Sequence, residues 1–350
     1  DFRIDKRNTL NVDLKCILPR NNLQQDLHNG FYGYGSESYE NRHNDVTWNR
    51  ENVEAVVAYR HVIKPEVSDV SVRGSVSKIW GHRPSYYYLE GVQTAYSESG
   101  GSPFIASVQA DFKQKFKAGM LTAGAKLTYR SNDIYHQFYE GGEYSDAFSN
   151  DLLHTELIPA AYVLFSSKIG KKFTYKAGLR GEFSTVTLTS SHEGLDVRNN
   201  DFFVSPSLSG TLRLAENQDL SLAFSRRVGR PAYPQLNPYM SMVDATTYEQ
   251  GNMHLRPEKS SKLDFSYNFR SSKVQIFADA YMNYTTDYIS QITKISDGLL
   301  ITTYINGTSD LKTGADLSLK LVPAKWMSAT LSANTFYVNT KGNFEGADID

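Results

Sequence analysis

An all-β fold, an antiparallel transmembrane β-barrel, is what this sequence predicts, and three observations predict it. Apolar and polar residues alternate with a period of two over most of the chain, which is the strand period. The predicted strands are joined alternately by very short turns and by long polar segments. Aromatic residues bracket the apolar rows at a spacing that fits the hydrocarbon core of a bilayer.

The alternation is plain from Phe104 to Phe112, where Phe104, Ala106, Val108, Ala110 and Phe112 oppose Ile105, Ser107, Gln109 and Asp111. Leu121, Ala123, Ala125, Leu127 and Tyr129 continue it against Thr122, Lys126, Thr128 and Arg130. Phe173, Tyr175, Ala177, Leu179 and Phe183 then oppose Thr174, Lys176, Arg180 and Glu182, and Leu317, Leu319, Leu321, Met327, Ala329 and Leu331 extend the pattern. In chain order it predicts about thirteen strands, around 9–18, 50–63, 68–80, 103–113, 120–131, 154–168, 172–187, 202–214, 220–227, 260–270, 273–294, 299–321 and 326–338. A soluble sandwich or propeller would alternate as well. Strands of about 10 to 20 residues exceed the usual 5 or 6 of soluble sheets.

Tight turns are predicted at 64–66, 113–119, 169–171, 215–219, 271–272 and 322–325, and long polar loops at 21–49, 81–102, 131–151, 190–200 and 228–259. Outer-membrane barrels sort their connections in this way, with short turns on the periplasmic side. Phe173 and Phe183 share a parity ten residues apart. At ~3.3 Å per residue and a tilt near 40° they bracket roughly 25 Å, the height of the apolar band.

Composition agrees. Hydrophobic residues make up 40% of the 350-residue chain, and the mean hydropathy is −0.45. No stretch approaches the roughly 20 apolar residues of a spanning helix, whereas barrel strands average out to mild polarity. Aromatic residues form 13%, as membrane-interface girdles require. A net charge of −1 gives no basic field for nucleic acid. The single Cys16 excludes an internal disulfide and a zinc cluster. The opening Asp1-Phe2-Arg3 is polar, with no leader in view, so a mature or trimmed segment is expected.

The most specific stretch is Ser225-Arg226-Arg227-Val228-Gly229-Arg230-Pro231-Ala232-Tyr233-Pro234-Gln235-Leu236-Asn237-Pro238-Tyr239. It resembles the SRR-x-x-RP-x-Y-x-x-LNP signature of the Bacteroidetes outer membrane protein beta-barrel family, the barrel part of TonB-dependent-receptor-like proteins. Tyr248 to Glu258 is similar to the Y-x-x-GNP-x-L-x-PE that follows in that family, with Met253 replacing a proline, which is expected to loosen the loop. Ala177 to Phe183, and Thr303 to Gly307 before Gly314 to Leu317, add two matches in order. The resemblance covers residues 10–337. It implies a barrel of about 22 strands, filled by an amino-terminal plug and energised by TonB. Set against that pattern, residues 1–350 are expected to form one partial barrel domain, with the plug and last strands absent.

Pro231, Pro234 and Pro238 cannot donate to a ladder, so the chain is expected to leave the sheet there. Arg226, Arg227 and Arg230 would cluster at the lip. Arginine forks bind carboxylate or phosphate, so these residues, with Tyr233 and Asn237, are candidates for contact with a ligand, lipopolysaccharide or plug; equally, they would pair with acidic groups of neighbouring strands. Gly251-Asn252 is expected to turn through positive φ. Tyr86-Tyr87-Tyr88, residues 31–34 and residues 135–139 offer aromatic surface for sugars or other planar ligands, or for loop packing.

The eight histidines form no metal or catalytic motif, and His154 with Glu156 would share a lumenal hydrogen bond. No cofactor, metal site or enzymatic activity is expected. The resemblance implies nutrient uptake across the bacterial outer membrane, with outer-membrane lipid, lipopolysaccharide, TonB (through the absent plug) and a surface lipoprotein as partners. A non-transporting adhesin or scaffold is the alternative.

Overall fold

Period-two alternation gives each strand one apolar and one polar face, and antiparallel pairing in chain order aligns those faces into a wall. The computed structural model describes residues 2–33, 36–190, 196–242, 247–296, 299–344 and 347–349. The strands β1 (Phe2–Arg3) and β2 (Asn8–Ile17) lead to β3 (Arg20–Gly33) and β4 (Ser36–Lys64). Next come β5 (Ser68–Leu89), β6 (Val92–Gly101), β7 (Phe104–Phe116), β8 (Gly119–Glu140) and the short β9 (Glu143–Tyr144). A 3₁₀ turn at Asp146–Phe148 precedes β10 (Asn150–Ile169), β11 (Phe173–Ser190), β12 (Val197–Ala215) and β13 (Gln218–Gly229). One helical turn, α1 (Tyr233–Leu236), is followed by β14 (Met240–Met242), β15 (Thr247–Gln250), β16 (Glu258–Arg270) and β17 (Val274–Thr286). The remaining strands are β18 (Ile289–Ser296), β19 (Leu299–Asn306), β20 (Ser309–Ala324), β21 (Met327–Phe344) and β22 (Ala347–Ile349).

Thirteen of these form the wall, β2-β4-β5-β7-β8-β10-β11-β12-β13-β16-β17-β20-β21, each antiparallel to the next. This is the strand order expected from the sequence. The predicted tight turns all lie at one end of the wall; at Gly170, φ is +59°, a left-handed conformation that glycine adopts freely. Along β11, Leu179 is 50% exposed and Phe183 43% exposed on the outward face. Arg180, Glu182 and Ser184 take the inward face between and beside them. Outward Val108, Leu127, Val163 and Leu208 continue the apolar surface across neighbouring strands.

The structure departs from expectation at the other end. Residues 21–49, 81–102 and 131–151, expected as loops, are largely β-structure. β3 prolongs β2 past Pro19 and keeps the same register along β4. β6 prolongs β7 past Pro103 in the same way, lying between β5 and the upper half of β8. Outside lipid a strand needs no apolar face, so polar composition conceals these ladders. In the expected 190–200 loop, Ser190 and residues 197–200 are likewise strand, and residues 191–195 lie outside the described set.

The strands expected at 273–294 and 299–321 each break in two. Asp287, at φ +54°, ends β17, and Gly307 separates β19 from β20. The pieces between, β18 and β19, join β14 and β15 in a second four-stranded sheet that includes a parallel β15–β19 pair.

Candidate functional site

The signature leaves the wall at Arg230, because Pro231 offers no N–H to continue β13. Tyr233–Leu236 then makes one helical turn, and the Gln235 side chain accepts the Ala232 N–H at 2.7 Å. Two backbone segments cross here. The Asn237 carbonyl accepts the Gly251 N–H at 2.6 Å, and the Gln235 carbonyl accepts the Asn252 N–H at 2.7 Å. A Cβ on Gly251 would lie 2.6 Å from the backbone N and O of Asn237. Close approach, rather than the expected positive φ, is therefore why glycine stands at 251; neither it nor Asn252 is among the positive-φ residues.

The later motif locks onto the earlier one. Asn252 Nδ2 donates to the Tyr304 carbonyl at 3.0 Å. Asn306 accepts the Arg256 N–H at 2.8 Å and donates to the Arg256 and Asp287 carbonyls at 2.9 and 2.7 Å. The Tyr304 hydroxyl donates to Glu249 at 2.8 Å; burial, reinforced by that carboxylate, pushes its pKa up to about 12.

The assembly folds inward. Leu236, Met253 and Leu255 pack against Leu152 and Leu188, which stand on the inward faces of β10 and β11 and are each 1% exposed. Met253 thus occupies a buried core site, where it anchors the loop. The expected loosening at this position does not hold, since a long flexible side chain fills the gap between the leucines.

Beneath this cap runs a chain of alternating charge. Glu156, 3% exposed, lies 2.9 Å from Arg130 and 2.9 Å from Arg230. Arg230 also donates to Glu182 at 3.0 Å, and Arg180 pairs with Glu182 at 2.6 Å. The Arg230 Nε contact with Glu156 is an ion pair without hydrogen-bond alignment, because neither atom finds a well-directed partner. The guanidinium also sits 5.9 Å from the centre of the Phe203 ring. Buried charges persist only when paired, and each carboxylate here meets two arginines. A cavity of about 360 Å³ adjoins the network, lined by Arg130, Glu156, Val186, Arg230, Tyr233 and Met253 among others. The Tyr233 hydroxyl is buried with no hydrogen-bond partner among the described residues, and burial raises its pKa.

Of the five candidate residues, the structure brings Arg230 and Tyr233 together at this cavity. Arg226 and Arg227 do not join them. Both are exposed on β13, where Arg226 shares the outward parity of Leu222 and Phe224 and Arg227 faces the other way. Asn237 contributes its backbone to the crossing and its side-chain oxygen to the Tyr239 N–H at 3.4 Å. Glu156 enters the sequence reading only as a hydrogen-bond partner of His154, and Arg130 and Glu182 carry no signal there beyond charge at inward parity within a strand. His154 lines the cavity beside Glu156, whose carboxylate is taken by the arginines.

Among the described residues no group of three or more His, Cys, Asp or Glu is placed to hold a metal ion. A family model described as "Outer membrane protein beta-barrel family" matches residues 85–350. Curated proteins give no match in sequence. Among solved structures, the ferric citrate transporter FecA is similar with a TM-score of 0.65 and 11% identity, over 96% of this chain and 52% of that one. The copper transporter OprC (TM-score 0.59, 12% identity) and the ferric-catecholate import receptor Fiu from E. coli K12 (0.59, 10%) each match over 95% of this chain and 62% of theirs. The chain therefore spans between half and two-thirds of these structures, and at such identities the likeness shows the fold.

Proposed function

This chain belongs to the outer membrane protein beta-barrel family, and on that premise we propose that it is the wall of a TonB-energised receptor importing a nutrient. The observation that carries this is the direction of the signature loop. It folds toward the inner face and seats Arg230 on inward carboxylates, so the long-loop end of the wall is built around its interior. Solved proteins of the same fold include a copper transporter, a ferric citrate transporter and a ferric-catecholate import receptor, which supports import as the class of activity. The inward charged face is the surface against which a plug would sit, and TonB would act through that plug.

The finer proposals are a single barrel domain over residues 1–350, a Bacteroidetes source (resting on the signature itself), and a surface lipoprotein delivering the nutrient at the mouth. Arg226, Arg227 and Asn237 are proposed contacts for ligand or plug at the lip, alongside Arg230 and Tyr233. The test is uptake of labelled iron chelates, cobalamin, peptides and saccharides by a deletion strain and by a strain lacking TonB. A defect for one nutrient in both strains is expected. Unchanged uptake of every nutrient, together with lost cell-surface adhesion, overturns the reading in favour of an adhesin.

A further inference from the structure

A row of tyrosines stands high on the outside of the wall, above the band that lipid covers. Tyr86, Tyr96, Tyr139 and Tyr144 are direct cross-strand partners on β5, β6, β8 and β9. Their ring centroids are 5.0, 5.9 and 5.6 Å apart in turn. Tyr86 is 38% and Tyr144 55% exposed. Strand parity fixes where the row points. Tyr86 shares a face with the outward Val76 and Trp80, and Tyr139 shares one with the outward Leu127 and Tyr129.

Height fixes what lies beside it. Tyr129 and Phe104, with rings 6.3 Å apart, mark the upper aromatic girdle on these strands. Tyr139 is ten residues further up β8, which at ~3.3 Å per residue and a tilt near 40° is roughly 25 Å above that girdle. No acyl chain reaches there. Beside an outer-membrane barrel at that height lie the sugars of lipopolysaccharide.

The chemistry of the patch fits neutral sugar. Tyrosine offers a ring face for the C–H face of a pyranose and a hydroxyl for its polar rim, and exposed aromatic patches mark interaction sites. The positions around the row on the same face include Asp45, His82, Glu98, Asp133, Tyr135 and Gln137, and no lysine or arginine stands among these neighbours. Glu98 accepts the Tyr96 hydroxyl at 3.0 Å, and Gln137 the Tyr139 hydroxyl at 3.5 Å. An acidic surface repels the phosphates of lipid A while leaving acceptors for sugar hydroxyls.

We infer that this tyrosine ladder docks the neutral saccharide of neighbouring lipopolysaccharide, holding the strand extensions upright in the sugar layer. The inference rests on the outer-membrane location and on strand parity, and is independent of transport. The test reconstitutes the full-length protein in nanodiscs and measures binding of complete lipopolysaccharide and of lipid A alone by native mass spectrometry. A Tyr96→Thr/Tyr139→Thr variant should bind complete lipopolysaccharide roughly tenfold more weakly and lipid A as the wild type does. Heat-shifted gel mobility reports whether the variant folds; if it does not, the peripheral Tyr144→Thr should lose binding about threefold. Equal wild-type affinity for lipid A and for complete lipopolysaccharide overturns the inference. So does unchanged binding by a folded variant, or loss of nutrient uptake with lipopolysaccharide binding intact.

Discussion

Two leucines nine residues apart on β11 meet opposite surroundings. Leu179, midway up the wall, is 50% exposed on the outward face, whereas Leu188, at the top, is 1% exposed on the inward face. A soluble sheet would bury an apolar row such as Leu179's. Here the wall gives that row to lipid, and the cluster of buried apolar residues seen among the described residues lies on the inward face, where the signature loop supplies Leu236, Met253 and Leu255. Apolar side chains in this protein therefore follow two solvents, hydrocarbon along the band and protein under the cap.

The sharpest way to break that contrast is to remove the charge that seats the cap. Arg230→Met should destabilise the cap region by about 4 kcal/mol, because Glu156 and Glu182 lose their shared cation while remaining buried. Hydrogen exchange of the Leu255 and Leu188 amides measures it, and unchanged protection would show that the cap holds without the ion pairs. Leu188→Ala comes next. It should cost about 3.5 kcal/mol through the cavity it leaves, read as a lowered denaturant midpoint in detergent. Leu179→Ala should shift that midpoint far less, since lipid fills the space.

Leu179→Arg should impair insertion by about 3 kcal/mol near the bilayer midplane, measured by folding into lipid vesicles. Normal assembly of this variant would reverse the outward assignment of the Phe173, Leu179 and Phe183 row.

The smallest effect concerns pH. Burial, with Arg83 nearby, lowers the pKa of His136 on the β8 extension. The folded extension keeps this imidazole neutral, while the unfolded chain binds a proton below the ordinary value of about 6.5. Stability is therefore retained above that value and lost as pH falls through it, by at most about 1.4 kcal/mol per pH unit. Protection factors of the amides around Ser99, whose hydroxyl sits 2.8 Å from His136 Nδ1, should fall below pH 6.5. His136→Gln should abolish the dependence.

Much of this was legible before any fold was known. Alternation at Phe104–Phe112 and Phe173–Phe183 depends on local parity alone, so strand identity, facing and the six tight turns could be read directly. The extensions at β3 and β6 could not be, because polar ladders above the membrane and polar loops have the same composition. The arginines of the signature showed their type but gave no partner. Arg230 meets Glu156 and Glu182 from 74 and 48 positions away in the chain, a distance no local pattern spans.

The alternation alone assigns the membrane-spanning residues of the wall and the face of each strand that turns to lipid, since a period-two chain has only two sides to offer. Tertiary structure alone decided that the proline-rich segment turns inward, that Gly251 stands where two backbones cross, that Met253 is core, and that four tyrosines from four strands align. Each of these depends on which distant strands become neighbours. Pairing order and register settle that, because they bring together side chains that the linear chain keeps far apart.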